Sequence, residues 1–359
     1  MKVLVTGHDG YIGCVLVPLL RSKGHTVVGL DSYLFDACGF DYQVAEIPAL
    51  RMDVRDVQMH HLAGFDAVVH LAAISNDPVG DLNPECTYDI NHRATVRLAR
   101  LAKEAGVARF LFSSSCSLYG AAGDDVLDEA APFNAVTPYG ESKVLAEQEL
   151  AQLADNSFSP TFLRNATAYG LSPRMRGDIV VNNLVAFAYT TGQVRMESDG
   201  TPWRPLVHIE DISRAFLAAL GAPREVVHNQ AFNIGRDGEN YQIRDVAKIV
   251  EKAVRGSTVT FASSAGPDRR SYRVSFAKAS EALPDFKPRW TVPRGVAEIL
   301  DGFRRYGLTL DDFTSPRFYR IRRIKELLDQ EKIDSSLRWR RGRFKRAEEP
   351  LRATRSTSK

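Results

Sequence analysis

The chain has 359 residues, 44% apolar and 25% charged, which suits one or two globular domains with sizeable cores and excludes a disordered or fibrous protein. A formal net charge of +3 by itself argues for neither an acidic nor a basic partner. No apolar run approaches the roughly 18 residues of a membrane span, and Met1-Lys2 leads straight into VLVTG, too short for a signal-peptide core, so a cytoplasmic protein is expected.

KVLVT (2–6) is a short β-branched run, followed by a helical pattern from about Tyr11 to Ser22 that ends at Lys23-Gly24. TVVGL (26–30), ALRM (49–52), AVVHL (67–71) and RFLFS (109–113) read as further strands, with a long helix from about Pro84 to Ala105 between the last two. Short apolar runs that do not alternate imply strands buried on both faces, hence a mainly parallel sheet covered by helices: a doubly wound α/β fold. TPYGESKVLAEQELAQLA (137–154) predicts another amphipathic helix and TFLRN (161–165) a sixth strand. Beyond Ala166 the pattern loosens into short mixed elements, although PLVHIEDISRAFLAAL (205–220) and AFNIG (231–235) again read as strand-helix and strand.

Gly7, Gly10 and Gly13 in TGHDGYIG follow the first strand into the first helix. Glycines there allow a tight turn, backbone approach to a pyrophosphate, and close packing of helix on strand, while the helix N-terminus supplies N–H donors. Asp31 ends the next strand, and its carboxylate can accept hydrogen bonds from both ribose hydroxyls of a dinucleotide but would repel a 2′-phosphate, which favours NAD over NADP. Asp53 in RMDVRD has the same strand-end placement and is read either as a ligand of the adenine amino group or as a surface acid.

Tyr139 and Lys143 in PYGESK are four residues apart, so on a helix they share a face. An ammonium and a positively charged nicotinamide beside the phenol would favour its phenolate, a base able to remove a hydroxyl proton. The serines that end RFLFSSSCSLYG can present a hydroxyl to the same substrate oxygen.

TGHDGYIG, HLAA (70–73), SSSCSLYG, PYGESK with Glu147 following, and RPLVHIED, in that order over roughly residues 1–300, resemble the extended short-chain dehydrogenase/reductase family in its NAD-dependent nucleotide-sugar epimerase/dehydratase branch. The resemblance implies a Rossmann domain over 1–165 and a smaller α/β substrate domain over 166–310, with segments near 205–235 returning to the first. It implies a catalytic trio of Ser115, Tyr139 and Lys143. It further implies that Gly7, Gly10, Tyr11, Ile12, Gly13, Asp31, Asp53, Val54, Leu71, Ala72, Ala73, Asn91, Ser113, Tyr139 and Lys143 contact or frame NAD. Around a nucleotide-diphosphate sugar it implies Ser115, Cys116, Ser117, Thr167, Asn183, Arg204 and, in DRRSYRV, Arg270; a guanidinium suits a diphosphate through its paired donors. A homodimer through two helices of the first domain is also implied. Three departures from the family pattern are Thr167, where a substrate-facing Asn is usual, Ala94, where Gly is common, and Pro205, where Asp usually follows the arginine.

Hexose 4,6-dehydratases of this branch carry an Asp-Glu pair after the trio's Ser or Thr, and pentose-forming decarboxylases a Glu at the second of those positions. Cys116 and Ser117 stand there instead. Neither is a carboxylate, and a thiol with an ordinary pKa of about 8.5 is a poor substitute. Epimerisation at C4 through a transient 4-keto sugar is therefore expected. The alternatives are a 4,6-dehydratase with unusual acid–base residues, a 4-ketoreductase of a deoxysugar pathway, or a non-enzymatic NAD-binding regulator.

The four cysteines (Cys14, Cys38, Cys86, Cys116) lack metal-ligand spacing and read as small buried side chains, so neither a metal nor a disulfide framework is expected. His8 reads as a solvent-facing turn residue, and Trp203 either stacks on a base or packs under a loop. Between Asp311 and Lys359 there are 15 Lys and Arg against 8 Asp and Glu. This segment is expected to be a basic helical extension with a frayed end, without nucleic acid or membrane as partner. RFYRIRRIKELL (317–328) within it resembles an amphipathic helix that docks on the body or on a second subunit.

Overall fold

A computed structural model describes residues 1–40, 44–75, 77–266 and 270–340; the polar end RATRSTSK, expected to be frayed, lies outside the described residues. The strands run β1 (Lys2–Thr6), β2 (Thr26–Asp31), β3 (Ala49–Arg51), β4 (Ala67–His70), β5 (Arg109–Ser115), β6 (Ala121–Leu127) and β7 (Ser159–Asn165). They continue with β8 (Thr167–Tyr169), β9 (Gln193–Ser198), β10 (Trp203–His208), β11 (Gln230–Ile234), β12 (Asn240–Gln242), β13 (Thr258–Gly266) and β14 (Ser271–Val274).

Seven of these form one sheet in the order β11-β7-β5-β4-β1-β2-β3, every pair parallel. The chain winds outward from β1 in one direction and then from β4 in the other. The strand order thus reverses between β1 and β4, where a crevice opens at the carboxyl ends. Alternation within one strand shows why both faces are covered. Val3 and Val5 join Leu16, Leu20, Leu111 and Phe216 on one side, while Leu4 joins Val28, Leu98, Phe110 and Phe158 on the other.

β11 extends the central sheet beside β7, pairing Phe232 with Leu163. β10 does not enter that sheet. It lies between β8 and β12 in a three-stranded sheet, and the helix Ile209–Gly221 that follows packs on the helix Gly13–Ser22. A second core of Val181, Leu184, Val250, Ile299 and Phe303 supports the smaller region. A small third cluster joins Ile74, Val79 and Cys86 to Ile324, Leu327, Ile333 and Leu337 of the C-terminal extension, so the helix Arg320–Asp329 docks on the body of its own chain. All four cysteines are buried and free. Among the described residues no helix is long and apolar enough to cross a membrane.

The helix expected from Pro84 to Ala105 is continuous but carries a π turn, Asp89–Arg93, between Pro84–Tyr88 and Ala94–Glu104. Such turns recur at functional sites. Here it places Asn91, fully buried, against the segment after β4, where its Oδ1 accepts from Ile74 N at 2.8 Å and its Nδ2 donates to Ile74 O at 2.9 Å.

The helix Pro138–Gln152 starts at an N-cap, Thr137, whose hydroxyl accepts from Gly140 N, with Pro138 in its first turn. It is pinned to the sheet by a buried ion pair: Arg164 of β7 donates to Glu147 from Nε at 3.1 Å and from Nη2 at 2.7 Å. The side chains are only 6% and 5% exposed. Removing one partner of such a pair strands the other charge at a cost of about 3–5 kcal/mol. Glu147→Gln is therefore expected to lower the unfolding free energy by that order, read as a fall in the urea midpoint at constant slope; an unchanged midpoint would contradict the assignment.

Candidate active site

The carboxyl ends of β1, β2, β4, β5 and β7 open into a cavity of about 1050 Å³, at the upper end of small-ligand pockets. Gly7, at φ +72°, turns the chain out of β1, and a Cβ there would stand 2.8 Å from Ala72 N. A Cβ on Gly13 would stand 2.4 Å from the carbonyl oxygens of Gly7 and His8. The loop is thus pressed against the segment after β4, with no room for a side chain at Gly7 or Gly13, and delivers the N-terminus of the helix Gly13–Ser22 to the cavity. Asp31, at the end of β2, accepts from Tyr33 N at 2.8 Å on Oδ1 and from Asp9 N at 3.1 Å on Oδ2. Burial raises its carboxyl above the usual range, while these bonds and the nearby His8 oppose the rise. A turn closed by glycines, a helix N-terminus and a carboxylate at the neighbouring strand end fit a dinucleotide.

Gly10, Tyr11, Ile12, Val54, Leu71, Ala72 and Ala73 also line this cavity. The Tyr11 phenol points away from it and donates to Gly170 O at 2.7 Å, tying the loop to the smaller region. Asn91 is not among the lining residues; its amide binds the backbone of Ile74, which is, so of the two expected roles, contact or frame, it takes the second. One expectation is corrected nearby. His8 is buried rather than solvent-facing. Gly29 in β2 leaves space for its ring, since a Cβ there would stand 2.5 Å from it, and Nε2 lies 3.1 Å from the Tyr33 hydroxyl. Asp53 lines the cavity with its carboxylate already engaged by Arg55, through Nε at 2.9 Å and Nη2 at 2.7 Å.

β5 and the helix Pro138–Gln152 bring Ser115, Tyr139 and Lys143 to one wall. Burial pushes the Tyr139 phenol up to about 12; the neighbouring Ser115 hydroxyl and the Arg176 guanidinium pull it down, and the Asp77 carboxylate adds to the rise. Lys143 is buried, with Nζ donating to Ser113 O at 2.7 Å and lying 5.8 Å from the centre of the Tyr139 ring. Burial lowers its amine to about 7 against the favourable pull of Glu147. Among the groups that oppose the rise at Tyr139, the Ser115 hydroxyl is the foremost.

The cavity is also lined by Ser117, Thr167, Asn183, Arg204 and Arg270. The Ser117 hydroxyl is buried with no protein partner. Asn183 donates from Nδ2 at 2.8 Å to Gly177 O and to the Tyr319 hydroxyl. Arg204 donates to Trp203 O at 2.8 Å and to Arg270 O, and Arg270 in turn pairs with Asp77. Trp203 packs under the Arg273 guanidinium, 5.1 Å from its ring centre. Cys116 is corrected: its side chain turns away from the cavity into the core, where Sγ donates to Arg164 O at 3.1 Å and burial raises the thiol far above its usual range.

Several lining residues were not singled out in the sequence. Asn165, at the end of β7, donates to Ser113 Oγ at 3.0 Å while its Oδ1 is buried without a partner; its place at a strand end was the available signal. Asp9 lies in the glycine loop in a bidentate pair with Arg174, and burial still raises its carboxyl to about 6. Asp77 and Arg320 begin helices, Arg176 lies in a loop and Tyr319 precedes the helix Arg320–Asp329; the amphipathic pattern of 317–328 marks a helix there but not that Tyr319 and Arg320 face the cavity.

A family model for the NAD dependent epimerase/dehydratase family matches residues 3–235. A UDP-glucose 4-epimerase of Bacillus subtilis is 27% identical over 325 residues, 83% of this chain and 94% of that relative. The structure of MoeE5 in complex with UDP-glucuronic acid and NAD superposes with a TM-score of 0.74 at 28% identity, covering 85% of this chain and 99% of the other. The UDP-glucuronic acid 4-epimerase from Bacillus cereus, in complex with UDP-glucuronic acid and NAD, gives 0.72 at 26% identity, with 85% and 99% coverage.

The depressed Lys143 amine has a thermodynamic signature. Its folded pKa of about 7 lies below the unfolded value of about 10.4, so between those pH values the unfolded chain holds the extra proton and stability rises with pH. Lys143→Met should flatten that rise in the cofactor-free protein, measured as the urea midpoint against pH. An unaltered slope would show that the amine is not desolvated.

Proposed function

Because the chain belongs to the NAD dependent epimerase/dehydratase family, we propose that it is an NAD-dependent nucleotide-sugar epimerase inverting C4 of an NDP-hexose through a transient 4-keto sugar. The observation that carries this reading is the convergence of Ser115, Tyr139 and Lys143 on one cavity wall, next to a position where no carboxylate for elimination follows the serine. Cys116 is sealed in the core and Ser117 offers only a hydroxyl.

When bound, NAD supplies a two-electron acceptor at the sugar C4, and a donor once the ketone has turned. Tyr139 would take the proton of the 4-hydroxyl through its phenol oxygen and return it after inversion. Ser115 holds the same oxygen throughout, as hydrogen-bond donor while charge develops on it. Lys143, charged at or below about pH 7 in the protein alone, is the cation that a diphosphate-bearing ligand would help keep protonated. Arg204 and Arg270 hold the substrate diphosphate, leaving the sugar to pivot between Ser117, Asn165 and Thr167. A homodimer belongs to the same proposal, supported by the 39% exposure of Leu145 on the helix Pro138–Gln152.

The test is incubation with UDP-glucose, UDP-galactose and their uronic acid and N-acetyl relatives without added reductant. The C4 epimer of one of them should accumulate to equilibrium, and release of a 4-keto-6-deoxy sugar would overturn the assignment. Tyr139→Phe should lower kcat at least about a hundredfold while NAD stays bound.

A further inference from the structure

The family model stops at residue 235, yet part of the cavity wall comes from far beyond it. After the helix Val292–Tyr306 the chain passes through Leu310–Thr314 and crosses to the helix Arg320–Asp329. The crossing is fastened on both sides. Gly39 N donates to Arg317 O at 3.0 Å and Gly177 N to Phe318 O at 2.8 Å. Farther on, Trp339 Nε1 donates to Ser32 O at 2.7 Å, next to Asp31, and Arg338 pairs with Asp56 at 2.8 Å. The segment thereby joins the loop after β2 to the loop after β8, and its apolar side chains Ile321, Ile324 and Leu337 close the cavity between them.

Arg320 sits at the centre of this crossing. It is 4% exposed, yet it lines the cavity. Its Nη2 donates to Arg174 O at 3.1 Å, its guanidinium lies 4.5 Å from the centre of the Phe35 ring, and its Nη1 is buried with no hydrogen-bond partner. The nearby Asp178 is already held by Arg176 Nε at 2.8 Å. A buried guanidinium left incomplete is costly unless an anion completes it. The anion would sit close to the glycine loop, since Arg320 is bonded to the backbone of Arg174, whose own guanidinium pairs with Asp9 of that loop at 2.9 Å, beside the helix N-terminus where a dinucleotide diphosphate rests.

We propose that Arg320 is a cofactor-binding residue whose free Nη1 donates to the diphosphate of bound NAD, and that the C-terminal extension is a strap retaining the dinucleotide between turnovers. The proposal rests on the NAD reading of the cavity, not on the sugar chemistry. The substrate carries the same diphosphate group, but Arg204 and Arg270, which also line the cavity, are proposed above to hold that one.

The test is calorimetric binding of NAD, ADP-ribose and UDP to the full-length, cofactor-stripped protein and to Arg320→Met and Arg320→Lys. In Arg320→Met, NAD and ADP-ribose should each bind about tenfold or more weakly, one lost charge-assisted hydrogen bond; UDP should be unaffected, and Arg320→Lys should recover part of the loss. Unchanged NAD affinity, or an equal loss for UDP, would overturn the proposal. A measurement on the unsubstituted protein guards against a variant that fails to fold. ADP-ribose should slow amide hydrogen exchange across residues 316–340 and adenosine should not; equal exchange with and without ADP-ribose would rule out the strap. None of these readouts requires turnover, so a failed epimerase assay and a failed strap are told apart.

Discussion

The geometry of the site hangs on one ion pair that water scarcely reaches. Arg164 and Glu147 close a bidentate contact between β7 and the helix carrying Tyr139 and Lys143. The remaining guanidinium nitrogen extends the contact to the Tyr119 hydroxyl at 3.0 Å, which in turn donates to Asn233 Oδ1 of β11 at 2.8 Å. A buried pair of this kind adds little net stability compared with a hydrophobic replacement, because desolvation offsets the attraction. It does fix register: a helix slipped by one residue would leave two charges without partners. The phenol and amine, two turns and one turn before Glu147, are held against β5 by that constraint.

Within this frame, the charged groups are tuned by the absence of water more than by each other. Burial is the leading influence on Tyr139, Lys143, Asp31 and Asp9 alike. The cavity of the protein alone therefore holds a phenol too weakly acidic and an amine too readily neutral for general base chemistry near neutral pH. Ligands bearing charge of the right sign would shift both toward the useful state, so the site is completed electrostatically by what it binds.

The first half of the chain was legible because its chemistry sits where periodic elements end. Asp31, Ser115 and the glycine loop follow strands whose apolar runs identify themselves, and Tyr139 and Lys143 ride a helix whose spacing shows that they share a face. Direction was harder to read. Cys116 follows Ser115 directly, but the chain turns into a 3-10 segment that sends its thiol inward. His8 was misjudged because the space that buries it is created by Gly29 on another strand. Arg176 and Arg320 were invisible for the same reason: nothing in a local window says that residues over a hundred positions apart will meet around one cavity.

The contact between Arg270 and Asp77 carries a consequence for how tightly such a pocket can hold its guest. If, as proposed, a diphosphate takes over this contact, an arginine already satisfied by an internal carboxylate would gain only the difference, and occupancy would be an exchange of partners. The empty pocket is spared an unneutralised cation, and the filled one is never far in free energy from letting go. A catalyst that must release a product nearly identical to its substrate works faster under that arrangement than under one built for maximal grip.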